Sequence, residues 1–320
     1  MDYDKSSIAG VYDSGRSTPL RCSGNGWTWW RRMPLQTCGE TSLNGAHTML
    51  SHVSAAMALR AAFFAVSVAG AASPSVAAKA SACTEISICY CVNDDLKDVI
   101  AAKVAHFREI LASERKAGKA VGYMSVPLST IGGGFFNVNM EVAAAAKRQI
   151  EKRFGEGQVF ILNPGVTEAN IPNGSGADYM LMWTQLLEGR EGLGEDFDFV
   201  YFVGPQDFAR YLGLDGNGDM LKIEQFFDKR LEHDSDLKKA VDKGLTRSAF
   251  RNYYALKAST TFSKGAHDEW NIVRALNERR RAHDRFGIAN QLAVLFDGSG
   301  VAPSSSEGST SDGYAGKCSN

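Results

Sequence analysis

The chain has 320 residues, 44% hydrophobic and 22% charged, with 35 Lys and Arg against 36 Asp and Glu and a formal net charge of −1. That is enough chain for one large globular domain or two small ones, and the near-neutral balance gives no reason to expect a nucleic-acid partner. No apolar run reaches the roughly 18–20 residues that cross a bilayer, so no membrane span is expected.

Residues 1–56 mix Gly, Ser and Arg with Trp27, Trp29 and Trp30 and follow neither a helical nor a strand period. They are expected to be an irregular leader outside the mature fold. Residues 57–82 have the layout of a secretory signal peptide. A short basic start at Met57–Arg60 leads to a small-residue apolar core at Ala61–Ala72, a break at Pro74 and an A-x-A exit at Ala80 or Ala82. A periplasmic or secreted location follows, and with it an oxidising reading of the cysteines. Beyond Ala82 these are Cys83, Cys89, Cys91 and Cys318, an even count that suggests one or two disulfides pinning the termini. Cys89-x-Cys91 is too tight for a zinc knuckle and has no partner cluster, so no metal site is expected.

Residues 83–119 read as an N-terminal helical extension, with Asp94 and Asp95 at its start and Leu96, Val99, Ile100, Val104, Phe107 and Leu111 at helical spacing. An α/β domain is expected over residues 120–300. Its apolar strands are Ala120–Leu128, Gln158–Leu162 and Phe197–Val203, and its helices run from about Asn137 to Phe154 and Ala177 to Glu188. Continuous apolar strands between amphipathic helices indicate a parallel sheet covered on both faces. The fold class is therefore a three-layer, Rossmann-like α/β arrangement of four to five strands, with a helical insert at 206–257. A flexible Ser/Gly-rich tail is expected over 301–320, apart from Cys318.

The last unit reads as strand, turn, helix and strand: an apolar, β-branched run as the first strand, a glycine turn in Phe262-Ser-Lys-Gly-Ala-His-Asp-Glu-Trp270, a helix through Val273 and Leu276, and a strand from Gln291 to Asp297. In such a layout ligands bind where strands end and helices begin. Glu269, on the first turn of that helix, is then expected to face the crevice.

Other motifs have plainer readings. Gly132-Gly-Gly134 is no dinucleotide fingerprint, because G-x-G-x-x-G is absent; it is either a phosphate- or sugar-facing loop or a turn. Asp215-Gly-Asn-Gly-Asp219 fails the calcium-loop pattern at its sixth and twelfth positions, Met220 and Phe226. Asn173-Gly-Ser-Gly176 misses the serine-hydrolase elbow. Arg279-Arg-Arg281 reads as a solvated helix end that suits the dipole. No cofactor is expected.

Three segments, Tyr123-Met-Ser-Val-Pro127, Asp196-Phe-Asp-Phe-Val200 and Ser263-x-Gly265-x-x-x-Glu269, together resemble the Y-L-A-G-P, D-A-D-x-V and D-S-G-T-x-x-E signatures of the nucleoside 2-deoxyribosyltransferase-like group, in the same order. The Gly265–Glu269 spacing also resembles the G-T-x-x-E of LOG-type phosphoribohydrolases. The resemblance spans about Ala120 to Gly298, minus the insert. It departs from the family where Ser263 stands in place of Asp and where Lys264 interrupts the Ser-Gly pair. Export is also unusual for nucleotide salvage.

The resemblance implies an N-glycosidic bond hydrolase or transferase with a nucleoside, nucleotide or NAD-like substrate. It makes Glu269 the nucleophile, Asp198 the carboxylate that anchors the sugar or assists the leaving base, and Tyr123 the hydrogen-bonding partner of Glu269. Ser125, Gly133, Gly134, Ser263, Gly265, His267 and Asp268 are the expected substrate-binding set. The family often builds its site across a subunit interface, so a homo-oligomer is an open expectation. The alternative is a periplasmic small-molecule-binding or interaction protein with the same crevice and no chemistry.

Overall fold

The structure, a computed structural model, describes residues 78–128, 130–283, 290–301, 313, 314 and 318. The leader expected over 1–56 and the signal-peptide core lie outside the described residues.

The described chain opens with an antiparallel hairpin, β1 (Lys79–Cys83) and β2 (Cys89–Asn93). A disulfide joins Cys83 to Cys89 across it, and a second joins Cys91 to Cys318. Ala80 and Ala82, where the signal-peptide exit is expected, lie within β1. The helix of segment 83–119 is α1 (Lys97–Lys116), which follows the hairpin and buries Ile100, Val104, Phe107 and Leu111 in the same core as the main sheet.

The main sheet is built from β3 (Ala120–Ser125), β4 (Val159–Leu162), β5 (Phe199–Phe202), β6 (Ala293–Phe296) and β7 (Ser299–Val301), in the order β4-β3-β5-β6-β7. The first four are parallel to their neighbours, and β7 turns back antiparallel on β6. This is an α/β fold with a five-stranded, mostly parallel sheet. The connections are α2 (Phe136–Phe154) between β3 and β4, α3 (Gly176–Glu188) between β4 and β5, and a long helical excursion between β5 and β6. That excursion contains α4 (Pro205–Leu212), α5 (Asp219–His233), α6 (Ser235–Asp242), α7 (Arg247–Leu256) and α8 (Lys264–Ala282).

Successive strand residues point to opposite faces, and the apolar side chains divide accordingly. Val121, Tyr123, Val200, Phe202 and Val294 join α1, α3 and α8 in one cluster. Met124, Ile161, Phe199 and Tyr201 join α2 and the insert helices α4 to α7 in the other. Each fully buried large apolar side chain contributes roughly 1.5–3 kcal/mol. β5 (Phe-Val-Tyr-Phe) is buried at all four positions, as a central strand must be. α8 packs on the sheet through Trp270, whose ring meets that of Phe202 at 4.6 Å between centroids.

The expected strand before Phe262 does not exist. α7 ends at Leu256 and a 3₁₀ turn, Thr260–Phe262, leads straight into α8. The β-branched Thr260-Thr261 pair favours a strand locally, but the residues are taken up by the 3₁₀ turn, and the strand beside β5 is β6. Gly265 is correspondingly inside α8 and is not its turn residue. Arg280 is a further correction, because it is 5% exposed and not solvated. Its guanidinium donates to the carbonyl oxygens of Leu193, Gly194 and Asn290 at 2.5–2.7 Å, tying α8 to the loop before β5 and the approach to β6. The tail expected to be flexible over 301–320 starts in β7 with Val301 and is fixed again at Gly313, Tyr314 and Cys318.

Gly133 shows why the triple-glycine turn is needed. Its φ is +113°, and a Cβ there would lie 2.1 Å from the Ala249 carbonyl oxygen of α7. The glycine lets the turn after β3 press against the insert backbone. Gly133→Ala is expected to cost about 1–3 kcal/mol of folding stability through strain and overpacking. Urea denaturation of the variant checks this, and an unchanged midpoint contradicts it.

Candidate functional site

Tyr123 and Ser125 are two residues apart on β3 and so point to the same face of the sheet. α8 crosses that face and places Glu269 over the end of the strand. The Tyr123 hydroxyl donates to Glu269 Oε1, and the Ser125 hydroxyl donates to Oε2 at 2.5 Å. Glu269 is 4% exposed, and both donors are fully buried. The Tyr123 ring is itself wedged between Trp183 and Phe197, each 5.9 Å away between centroids. An aromatic cluster thus holds the donor that aims the carboxyl group.

Burial pushes the Glu269 carboxyl up from 4.5 to about 7, with the neighbouring Asp268 charge adding to the rise; the Ser125 and Tyr123 hydroxyls pull the other way. Burial, then the Glu269 charge and hydrogen bond, hold the Tyr123 phenol well above its ordinary value, so it stays a proton donor. A carboxyl group poised near neutrality can serve as acid, base or nucleophile.

Glu269 opens onto a crevice of about 470 Å³ at the carboxyl ends of β3 and β4. Val126 and Leu128 after β3, Pro164–Thr167 after β4, Met140 of α2, and Tyr179, Met180 and Trp183 of α3 line it. The starts of α3 and α8 complete it through Gly176, Ser263, Gly265 and Ala266, with Tyr314 from the C-terminal segment. Ser263 is the N-cap of α8 but makes no side-chain bond to the helix, which leaves its hydroxyl out of the cap. Glu269 sits in the second turn of α8 and not in the first, because the helix starts at Lys264.

Of the residues singled out from sequence, Tyr123, Ser125, Ser263, Gly265 and Glu269 come together here. The others do not line the crevice. Asp198 precedes β5, where its carboxylate accepts from the Val121 backbone N–H at 2.7 Å and from Arg115 at 3.0 Å. It therefore caps the opposite end of the sheet, roughly 13 Å from Ser125 at the rise of an extended strand. Gly133 packs on α7, and Gly134 is buried beside it. His267 is buried next to Asn271, with Nδ1 3.3 Å from that residue's Nδ2. Asp268 accepts from the backbone N–H groups of Gly313 and Tyr314 and so secures the C-terminal segment.

Sequence reasoning missed Tyr314, Trp183, Tyr179 and Met140. Trp183 and Met180 belong to a helix that is apolar nearly all round, which announces burial but not a ligand. For Tyr314 the one signal was Cys318, four residues on. Among the described residues no group of three or more His, Cys, Asp or Glu is placed to hold a metal ion, and no helix is long and apolar enough to cross a membrane. No family model, curated protein or solved structure matches the chain.

The raised carboxyl links folding to pH. The folded chain binds the Glu269 proton more tightly than the unfolded chain, so this group's stabilisation is complete below about 4.5 and is lost as pH rises to about 7. The loss is on the order of 3 kcal/mol. Glu269→Gln keeps the shape and cannot titrate. Urea unfolding at pH 5 and pH 8 should show wild type losing more stability than this variant as pH rises. Parallel pH dependences in the two proteins would rule out a perturbed Glu269.

Proposed function

We propose that the crevice is the catalytic site of an N-glycosidic bond hydrolase or transferase acting on a nucleoside, nucleotide or NAD-like substrate, with Glu269 as nucleophile. The observation that carries this reading is the buried Glu269 carboxyl group, gripped at both oxygens by Tyr123 and Ser125 and open to a ligand-sized cavity. We read the α/β arrangement as three-layered and Rossmann-like. The order β4-β3-β5-β6 reverses direction beside β3, and ligands of such sheets bind outside the carboxyl ends of the strands at that point.

In this mechanism the Glu269 carboxylate attacks the anomeric carbon. The C–N bond breaks with its electron pair leaving on the base, and an ester forms between the sugar and Glu269. Water or a second base then attacks the same carbon and returns the carboxylate. Tyr123 and Ser125 keep the carboxylate oriented by donating to its ionised form. The Ser263 hydroxyl and the start of α8 offer donors to a sugar or phosphate oxygen. Asp198 has no part in this scheme, since it caps the far end of β5.

A second reading, ligand binding without turnover, draws on one specific feature. Among the described residues Glu269 is the one carboxyl group lining the crevice, which leaves protonation of the departing base without an assigned acid. The two disulfides support an exported protein, since such bonds persist in oxidising compartments.

Incubation with mixed nucleosides, nucleotides and NAD, followed by mass spectrometry, should reveal free base that Glu269→Gln abolishes. Absence of released base from every substrate would favour the binding reading. The rate should rise with pH through about 7 as Glu269 ionises. In Tyr123→Phe the rate should fall about 10–100-fold, and its rising limb should move to higher pH because a hydrogen bond that favours the ionised form is gone. A pH profile unchanged in Tyr123→Phe would contradict the assigned role of the tyrosine.

A further inference from the structure

Near the C-terminus the chain is anchored at two points. Gly313 and Tyr314 donate their backbone N–H groups to the two carboxylate oxygens of Asp268, at 2.6 and 3.1 Å. Cys318 is disulfide-bonded to Cys91 of β2. The hairpin is in turn fixed to the start of α3, because the backbone N–H and side-chain amide of Asn93 donate to Asp178 at 2.8 and 2.7 Å. One anchor is therefore on α8 and the other on the hairpin, and the half-buried Tyr314 ring is placed between the first turns of α3 and α8.

The sequence makes room for that ring. A Cβ on Gly176, the first residue of α3, would lie 2.3 Å from Tyr314 Cε1, so only glycine lets the ring seat there. On the other side Gly265 of α8 comes within van der Waals range, at 3.9 Å from a Cβ built there to Cε2. Gly313 allows the same close approach to Lys264, whose Cβ would be 2.6 Å from an added methyl. Contacts from three parts of the chain, α8, the start of α3 and the hairpin, thus fix one tyrosine as a wall of the cavity that contains Glu269. Phe136, Tyr179 and Trp183 contribute further aromatic surface to the same lining.

We propose that Tyr314 is a specificity-determining residue of the crevice, which contacts the ligand directly and selects one that carries a flat, unsaturated ring. This rests on the crevice being a ligand site, as in the preceding reading, but not on glycosidic chemistry. Ring faces attract other ring faces through offset stacking, and an aliphatic ring of equal size forfeits that contact. Asp268 acts as a positioning residue, through the backbone of Tyr314.

The test uses the full chain and three small probes: adenine, nicotinamide and the uncharged saturated amide cyclohexanecarboxamide, with binding followed by ligand-observed NMR. Wild type should bind the two flat rings and discriminate against the saturated one. Tyr314→Ala should weaken flat-ring binding about fivefold or more. Gly176→Ala should do the same by displacing the ring, while adding a residue that a helix accepts readily. Tyr314→Phe, which keeps the ring, should restore binding, and the Cys91→Ser/Cys318→Ser double variant should weaken it in the same direction as Tyr314→Ala. Thermal melting confirms that each variant is folded.

Equal affinity in Tyr314→Ala and wild type overturns the proposal, as does equal binding of nicotinamide and its saturated counterpart, or no binding of either flat ring at millimolar concentration. Base release measured on the same samples separates the two readings. Ring binding that depends on Tyr314, without base release from any substrate, removes the glycosidic reading and leaves this one standing.

Discussion

The structure around the crevice depends on one constraint: a carboxyl group taken out of water must find partners for both of its oxygens. Glu269 finds them in two hydroxyls spaced two residues apart on β3. The period of a strand puts those hydroxyls on one face, and α8 must cross that face at a fixed height for both bonds to form at once. Trp270, the next residue of α8, locks the height by packing on Phe202 of β5. The same helix is held at its far end by Arg280, which satisfies three loop carbonyls. Site geometry and core packing are thus two aspects of one helix-on-sheet contact.

That contact also explains the electrostatics. Two hydrogen bonds favour the ionised form of Glu269, but full burial and the adjacent Asp268 outweigh them and leave the group balanced near neutrality. Asp268 has its own duty, since it holds the backbone of the C-terminal segment. Neighbouring carboxylates on one helix therefore have separate tasks, one directed into the crevice and one to its wall. The disulfide from Cys318 to Cys91 extends the same logic to the hairpin, so that both ends of the described chain are drawn to the region of the site.

Much of this was legible in the sequence. The helices α1, α2 and α3 announce themselves by apolar spacing, and the buried strands β3, β4 and β5 by continuous apolar runs. The partnership of Tyr123 with Glu269 followed from the resemblance to the deoxyribosyltransferase-like group, and the two side chains do meet. Other features were hidden because they depend on tertiary context. The Thr260-Thr261 pair has strand chemistry, yet Thr260–Phe262 forms a 3₁₀ turn that runs straight into α8. Asp198 matched a motif, yet a residue that precedes a parallel strand lies at the end away from the crevice, beside the start of β3. The glycines at 133 and 176 serve close packing, a role that a linear pattern cannot distinguish from loop flexibility.

The most direct test of Glu269 as a nucleophile is a trapping experiment with a 2-fluoro-substituted nucleoside. The fluorine destabilises the oxocarbenium-like transition state and slows the turnover of a glycosyl-enzyme. Intact-mass and peptide mapping should then find one sugar unit per chain, esterified to the peptide that carries Glu269 and missing in Glu269→Gln. Base release accompanied by an adduct on another residue, or by no adduct at all, would show that the chemistry does not run through this carboxylate.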